Sequence, residues 1–413
     1  MGDPEECEPF YALRMNRPEN SRRSPTIFFT YVKPLSFSGQ SAATELIIEK
    51  LQERGWDCRP VHIHPLDRAI RNPLRRYGQF ALSMIATWWR LWGLVLRKRL
   101  LLHVNLGQSL GSFVRLGVGY FPLRLLRPGA RVVVSLHGSS FMLWQLRQWE
   151  TRIFLMFLKS ARRVTVLGER QKAKLIELGL AADKIQVVPN TCEIPVISED
   201  EVEAKHTLGE GEPVRLLHLS LLIESKGYPE FLEALECLSQ QALAQPIEAV
   251  LCGPMAFTAE CTRFTLESAK EQWILDKVAK INENPDSQVS VEWIRGAFGE
   301  EKRRLFEESA VFVFPSRFSV EAQPLVLLEA MAAGCALITS TVGEIPSTVN
   351  ERCALMLEHP TVEALVAAIK QLSFDADQRR SMALEGLSLI QGPFSPSAYA
   401  DTWERIFNEL QKN

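Results

Sequence analysis

The sequence predicts an α/β protein of two domains, each built on a parallel sheet, facing each other across a cleft. Its 413 residues exceed what one ordinary hydrophobic core fills, and two domains of about 180 residues each match the usual domain size. Short β-branched or apolar runs alternate with amphipathic helical segments along the whole chain, which is the pattern of βαβ units. A Pro/Glu/Asp-rich stretch, Pro189–Glu212, interrupts the alternation near the middle, and the pattern then restarts.

In the first half, TIFFTYV (26–32) reads as strand and SAATELIIEKLQERG (41–55) as helix. WDCRPVHI, RLLLHVNL, RVVVSLHG, RRVTVLG and KIQVVPN (184–190) read as further strands. In the second half, VRLLHLSLL (214–222), IEAVLCGP, SQVSVEWIRG, AVFVFPS and CALITST read as strands. PEFLEALECLSQQ, EKRRLFEES and PLVLLEAMAAG are the helices between them, and SPSAYADTWERIFNELQKN (395–413) closes the chain as an amphipathic helix. The expected organisation is a flexible tail over 1–24, a first Rossmann-like domain over 25–192, a linker over 193–212 and a second Rossmann-like domain over 213–390. The last segment, 391–413, is expected to cross back to the first domain. The tail has no apolar core of the kind a signal peptide carries.

Composition narrows the function classes. Apolar residues make up 46% and charged residues 23%, as in ordinary globular chains. Eight scattered cysteines, without a C-x-x-C pair or a His/Cys cluster, speak against a disulfide or zinc framework and for a reduced, cytoplasmic setting. The net charge of −2 conceals an asymmetry: Arg68 to Trp149 contains thirteen Arg or Lys and no Asp or Glu. Such a split points to a local anionic partner for the first half. Within it, Arg75, Arg76, Arg97, Lys98 and Arg99 flank a Trp-rich apolar helix, the composition of an anchor lying on anionic lipid or of a groove for acceptor phosphate. A buried helix with solvated charged ends explains the same residues equally well. Its apolar run, Phe80–Leu96, is short for a membrane span and carries Arg90. No nucleic-acid motif accompanies the charge.

Ligands of parallel α/β sheets bind at the carboxyl ends of strands, where helix N-termini converge. His137-Gly138, Lys226-Gly227, Gly253-Pro254 and Pro315-Ser316 each directly follow an expected strand. The helix from Pro324 to Ala333 is apolar on nearly every face and therefore expected to be buried, yet Glu329 sits in its middle. A buried carboxylate needs a strong donor: a core cation, or two ribose hydroxyls. Glu321 lies eight residues earlier, in the loop before that helix, whose N-terminus is suited to a diphosphate.

These residues carry a resemblance. E-A-Q-P-L-V-L-L-E-A-M-A-A-G resembles the E-x(7)-E signature of retaining family-4 glycosyltransferases of GT-B fold. HLSLLIESKGYPEFLEAL resembles the family's strand–KG–helix phosphate loop, and VSLHG its first-domain strand ending in His-Gly. VVPNTCE resembles V-x-P-N-G-V-D, and VGEIPSTV resembles V-G-G-I-P-E-I-V. The set spans roughly residues 26–350 in the family's order.

The resemblance implies roles. Lys226, with Gly227, would neutralise the diphosphate of a nucleotide-sugar donor, with a UDP-sugar favoured. Glu329 would hold the ribose and Glu321 the transferred sugar. Backbone N–H groups in the segment Ala322, Gln323, Pro324, Leu325 and Val326 would bind phosphate and sugar. His137, beside Gly138, would bond the sugar from the opposite domain. Gly253 would line the donor site, while Gly39 and Gln40 would close its phosphate side. The family's Arg five residues before the lysine is Leu221 here, which makes Arg295 and Arg317 candidate second cations. No metal is implied. The expected acceptor is a saccharide or lipid-linked saccharide at the cytoplasmic membrane face, in polysaccharide or glycolipid assembly. A soluble acceptor is one alternative, and nucleotide binding without transfer, which Leu221 keeps open, is another.

Overall fold

The computed structural model describes residues 26–32, 39–63, 72–97, 99–192, 194–209, 211–258 and 261–412. The expected tail, Lys98 and residues 33–38 lie outside them. In the first half the order is β1 (Ile27–Val32), α1 (Gly39–Glu53), β2 (Cys58–Ile63), α2 (Pro73–Trp92), β3 (Leu101–Asn105), α3 (Leu110–Leu126), β4 (Arg131–Ser135), α4 (Trp149–Ser160), β5 (Arg163–Val166), α5 (Glu169–Glu177) and β6 (Ile185–Val187). Next come α6 (Glu199–His206), β7 (Val214–Leu219), α7 (Tyr228–Leu238), β8 (Ile247–Cys252), α8 (Glu267–Asn282), β9 (Val289–Ile294), α9 (Gly299–Glu308), β10 (Val311–Phe314), α10 (Leu325–Ala332), β11 (Ala336–Ser340) and β12 (Ala354–Leu357). Helices α11 (Val362–Phe374), α12 (Ala376–Gln391) and α13 (Pro396–Lys412) end the chain.

Each half folds into a parallel six-stranded sheet, ordered β2-β1-β3-β4-β5-β6 and β12-β11-β10-β7-β8-β9. Val132, Val133 and Val134 of β4 have no exposed surface, and neither do Val311, Phe312 and Val313 of β10. Near-continuous apolar strands are what a sheet covered by helices on both faces requires. The chain order reverses between β1 and β3 in the first sheet and between β7 and β10 in the second, and these reversals open the crevices where ligands bind.

The segment read as a linker from its composition holds α6, begun by a capping box in which Ser198 and Glu201 satisfy each other's backbone donors. Its end is fixed to the second domain. The Lys205 ammonium donates to the carbonyls of Phe306 and Ala333, and the buried His206 ring meets the Gly334 carbonyl. Helix α13 returns to the first domain, where Tyr399, Trp403, Ile406 and Phe407 join Ile27, Phe29 and Trp56 in one apolar cluster. Among the described residues no helix is long and apolar enough to cross a membrane.

Buried histidines make the fold acid-sensitive. Burial lowers His103 to about 3, and His137, His206 and His218 to about 4, from an ordinary value of 6.5. As pH falls below 6.5 the unfolded chain takes up these protons first, so stability present above 6.5 is lost as pH falls towards 4. Urea midpoints measured across that range should fall continuously, and a flat profile would contradict the burial of these rings.

Candidate active site

The second domain supplies one wall at its switch point. Lys226 ends the turn after β7, and Gly227 follows with φ of +83°, a left-handed conformation that glycine adopts without strain. A Cβ at Gly227 would overlap the Pro315 carbonyl, so the two strand-end loops meet backbone to backbone. Across that contact the Lys226 ammonium lies 2.5 Å from Glu321 Oε2, which also accepts from Ser316 Oγ at 2.8 Å. The rings of Phe314 and Phe318 lie beneath the same ammonium, at 5.6 and 5.3 Å from their centroids. Lys226 and Glu321 keep 18% and 9% of their side-chain surface, which holds both partly desolvated and within reach of one ligand.

Glu321 leads through Ala322, Gln323 and Pro324 into α10. Pro324 is the N-cap and offers no side-chain hydrogen bond to the helix terminus. That leaves the Leu325 and Val326 N–H groups at a positive helix end without a side-chain cap. Gln323 is buried, and its Oε1 accepts the Asn190 N–H from the end of the first domain at 2.5 Å. Gly253, after β8, packs against the Ser220 carbonyl and receives the Trp293 indole N–H.

Glu329 answers both expectations raised by its burial. One oxygen pairs with the Lys302 ammonium of α9 at 2.6 Å, while Oε2 is buried with no hydrogen-bond partner. A buried carboxylate oxygen without a donor is costly, and a ligand hydroxyl would satisfy it. Glu329→Ala is therefore expected to raise the dissociation constant of UDP about tenfold or more, since each charge-assisted bond is worth roughly 1.5–3 kcal/mol. Calorimetry checks this; unchanged binding with a collapsed melting temperature would assign Glu329 to the Lys302 pair alone.

The first domain supplies the other wall. His137 follows β4, with both ring nitrogens buried and unpartnered, and its lowered pKa leaves it neutral near pH 7. The neighbouring Gly138 carbonyl accepts from Gln108 Nε2 at 2.6 Å, and Gln108 Oε1 accepts the Phe141 N–H at 3.0 Å. Gln108 thus holds the His-Gly loop from the end of β3. Gly39 and Gln40 begin α1, but the Gln40 side chain and residues 33–38 lie outside the described residues.

The two candidate second cations are ion-paired, and Arg317 Nη2 also donates to the Glu224 carbonyl in the turn that carries Lys226. Arg295 pairs with Glu271 of α8 at 2.5 Å and stacks over Trp293, at the outer edge of the sheet. Arg317 pairs with Glu230 in the first turn of α7 at 2.8 Å. Neither carboxylate belongs to the Lys226 cluster. Motif reading overlooked Lys302, one charge among several in Glu300–Arg304, because only the packing of α9 against α10 singles it out.

The basic stretch forms a separate surface. On α2, Ser83, Thr87 and Leu91 face inward, while Leu74, Tyr77, Leu82, Ile85 and Trp89 are exposed. Arg75, Arg76, Arg97 and Arg99 are exposed around this row. The apolar face thus points to solvent, which excludes the buried-helix alternative for it. Helix α3 lies alongside, so close at Gly119 that a Cβ there would stand 2.8 Å from Leu91 Cδ1. It adds exposed Val114, Val118 and Leu125.

Two doubly wound domains, with polar groups from both meeting at the carboxyl ends of their strands, define the GT-B class. The chain matches the family models "Glycosyltransferase Family 4" over residues 37–194 and "Glycosyl transferases group 1" over 192–386, and it belongs to this glycosyltransferase family. It is 26% identical over 205 residues to the amylovoran biosynthesis glycosyltransferase AmsK of Erwinia amylovora, covering 48% of this chain and 44% of that relative. Thus the chain spans less than half the length of this curated relative. Its fold resembles sucrose-phosphate synthase from Thermosynechococcus elongatus, with TM-score 0.66, 20% identity, and 94% and 99% of the two chains covered. It also resembles Anabaena HepE in complex with UDP-glucose, with TM-score 0.65, 16% identity, and 93% and 99% covered.

Proposed function

We propose that the protein is a retaining glycosyltransferase that moves a hexose-type sugar from a nucleoside diphosphate, UDP favoured, to a saccharide or lipid-linked acceptor. The observation that carries this reading is the Lys226–Glu321–Ser316 cluster in front of the uncapped α10 terminus, with the unpartnered Glu329 oxygen behind it. These groups match a nucleotide sugar in order: ribose at Glu329, diphosphate at the α10 N–H groups and Lys226, sugar at Glu321 and His137.

In the reaction the bond between the anomeric carbon and the diphosphate oxygen breaks, and a bond from the acceptor oxygen forms on the same face. The acceptor proton passes to the departing diphosphate oxygen, so no protein base is needed. Lys226 stabilises charge where it develops, which is the placement that lowers a barrier. Neutral His137 is a hydrogen-bond partner for the sugar that leaves the diphosphate charge uncompeted. The reading requires no metal, and activity is expected to survive EDTA.

HepE bound to UDP-glucose supports the donor class, and the amylovoran biosynthesis relative supports a role in polysaccharide assembly. Incubation with a panel of nucleotide sugars, scoring slow donor hydrolysis and anomeric configuration by NMR, tests the proposal. Tight UDP binding without hydrolysis of any donor would leave a nucleotide-binding pseudo-enzyme instead.

A further inference from the structure

Glu344 belongs to the second domain, in the turn after β11, but its carboxylate is buried against the first domain. Its Oε1 accepts the Gln171 N–H at 2.5 Å, and its Oε2 accepts from Ser347 Oγ at 2.7 Å. Gln171 is the third residue of α5, whose N-cap, Gly168, offers no side-chain hydrogen bond. The cap of α5 is thus supplied by the opposite domain, a carboxylate at a positive helix end. Gly168 is extended, a conformation open to any residue, but a Cβ there would overlap Glu344 Oε2. Its glycine makes room for the carboxylate.

The contact continues into both walls of the cleft. The Glu344 N–H donates to the Glu321 carbonyl at 2.9 Å. Gly343, at φ of +55°, lies so close that a side chain would overlap the Glu321 backbone. On the other side, Gln171 Nε2 donates to Ser139 Oγ at 2.6 Å, next to His137 and Gly138. Arg170 adds bonds to the carbonyls of Thr341 and Gly343 at 3.1 and 2.8 Å. An unbroken path therefore runs from Lys226 through Glu321, Glu344, Gln171 and Ser139 to the His137 loop. Glu344 stands where the family motif quoted above has glycine.

We propose that Glu344 is a positioning residue that latches the two domains closed and aligns His137 with Glu321. Opening the cleft strips its carboxylate of the α5 donor, so the closed arrangement is favoured before any ligand arrives. The inference rests on reading this cleft as the donor site, but its first readout does not.

Small-angle X-ray scattering on the ligand-free chain should show a larger radius of gyration for Glu344→Ala than for wild type, and a smaller increase for Glu344→Gln. Gly168→Ala, made from the other domain, should produce the same opening, and the double variant should be no more open than either single one. In turnover, Glu344→Ala is expected to lower kcat about tenfold or more through misalignment, with the UDP dissociation constant within about threefold. If Glu344→Ala does not fold, Gly168→Ala and Glu344→Gln still decide. Unchanged scattering in them overturns the latch, and opening without loss of kcat overturns the positioning role. Wild-type chain that neither binds UDP nor hydrolyses a nucleotide sugar would instead sink the donor-site reading, with the scattering result standing by itself.

Discussion

Lys226→Ala is expected to lower turnover by roughly two to three orders of magnitude at saturating donor, while the chain remains folded. The reason is geometric. Its ammonium lies 2.5 Å from Glu321 Oε2, over two phenyl faces, at the reversal between β7 and β10. Charge grows at that point only as the sugar–diphosphate bond breaks, so the loss should fall on kcat more than on KM. The two cations that would substitute, Arg295 and Arg317, are held by Glu271 and Glu230. An undiminished rate in the variant, with wild-type melting, would remove Lys226 from the chemistry.

The second large effect is expected at a lipid surface. The exposed row Leu82, Ile85 and Trp89 on α2, in a segment with thirteen Arg or Lys and no acid, would complement an anionic leaflet. Surfaces normally mix both signs for solubility, so this face is unusual for a helix that meets only water. Basic residues at such a leaflet contribute about 1 kcal/mol each, and interfacial tryptophans add apolar burial. The protein should sediment with anionic liposomes at low salt, release as salt rises, and bind neutral liposomes weakly. Replacing Arg75, Arg76, Arg97, Lys98 and Arg99 with Gln should remove ~5 kcal/mol, over about a thousandfold in partitioning. Donor hydrolysis should be untouched. Equal binding to neutral and anionic vesicles, or none to either, would assign the stretch to acceptor phosphate or to an ordinary surface.

The sequence by itself determined the sheets and singled out much of the proposed donor wall, because both are written in local pattern. Runs such as RVVVSLHG and AVFVFPS are apolar without alternation, which only a strand covered on both faces tolerates. The strand-end residues Lys226 and His137, and the pair Glu321 and Glu329, could be picked out because a polar group directly after or within an apolar run is locally anomalous.

What only the tertiary structure decided are relations between segments distant in the chain. The pairing of Arg295 with Glu271 became visible only with the packing of α8. Lys302 met Glu329 only when α9 packed on α10, and Lys226 met Glu321 only when the β7 turn reached the β10 loop. The direction in which α2 turns its apolar face depended on α3 packing against the Ser83–Thr87–Leu91 side, which composition does not reveal. Glu344, in the VGEIPSTV turn, caps α5 of the other domain, a contact that the motif does not announce. Spacing along the chain specifies periodicity and local donors and acceptors; which unsatisfied group meets which is specified only when two cores, each folded for its own apolar burial, bring their strand ends together.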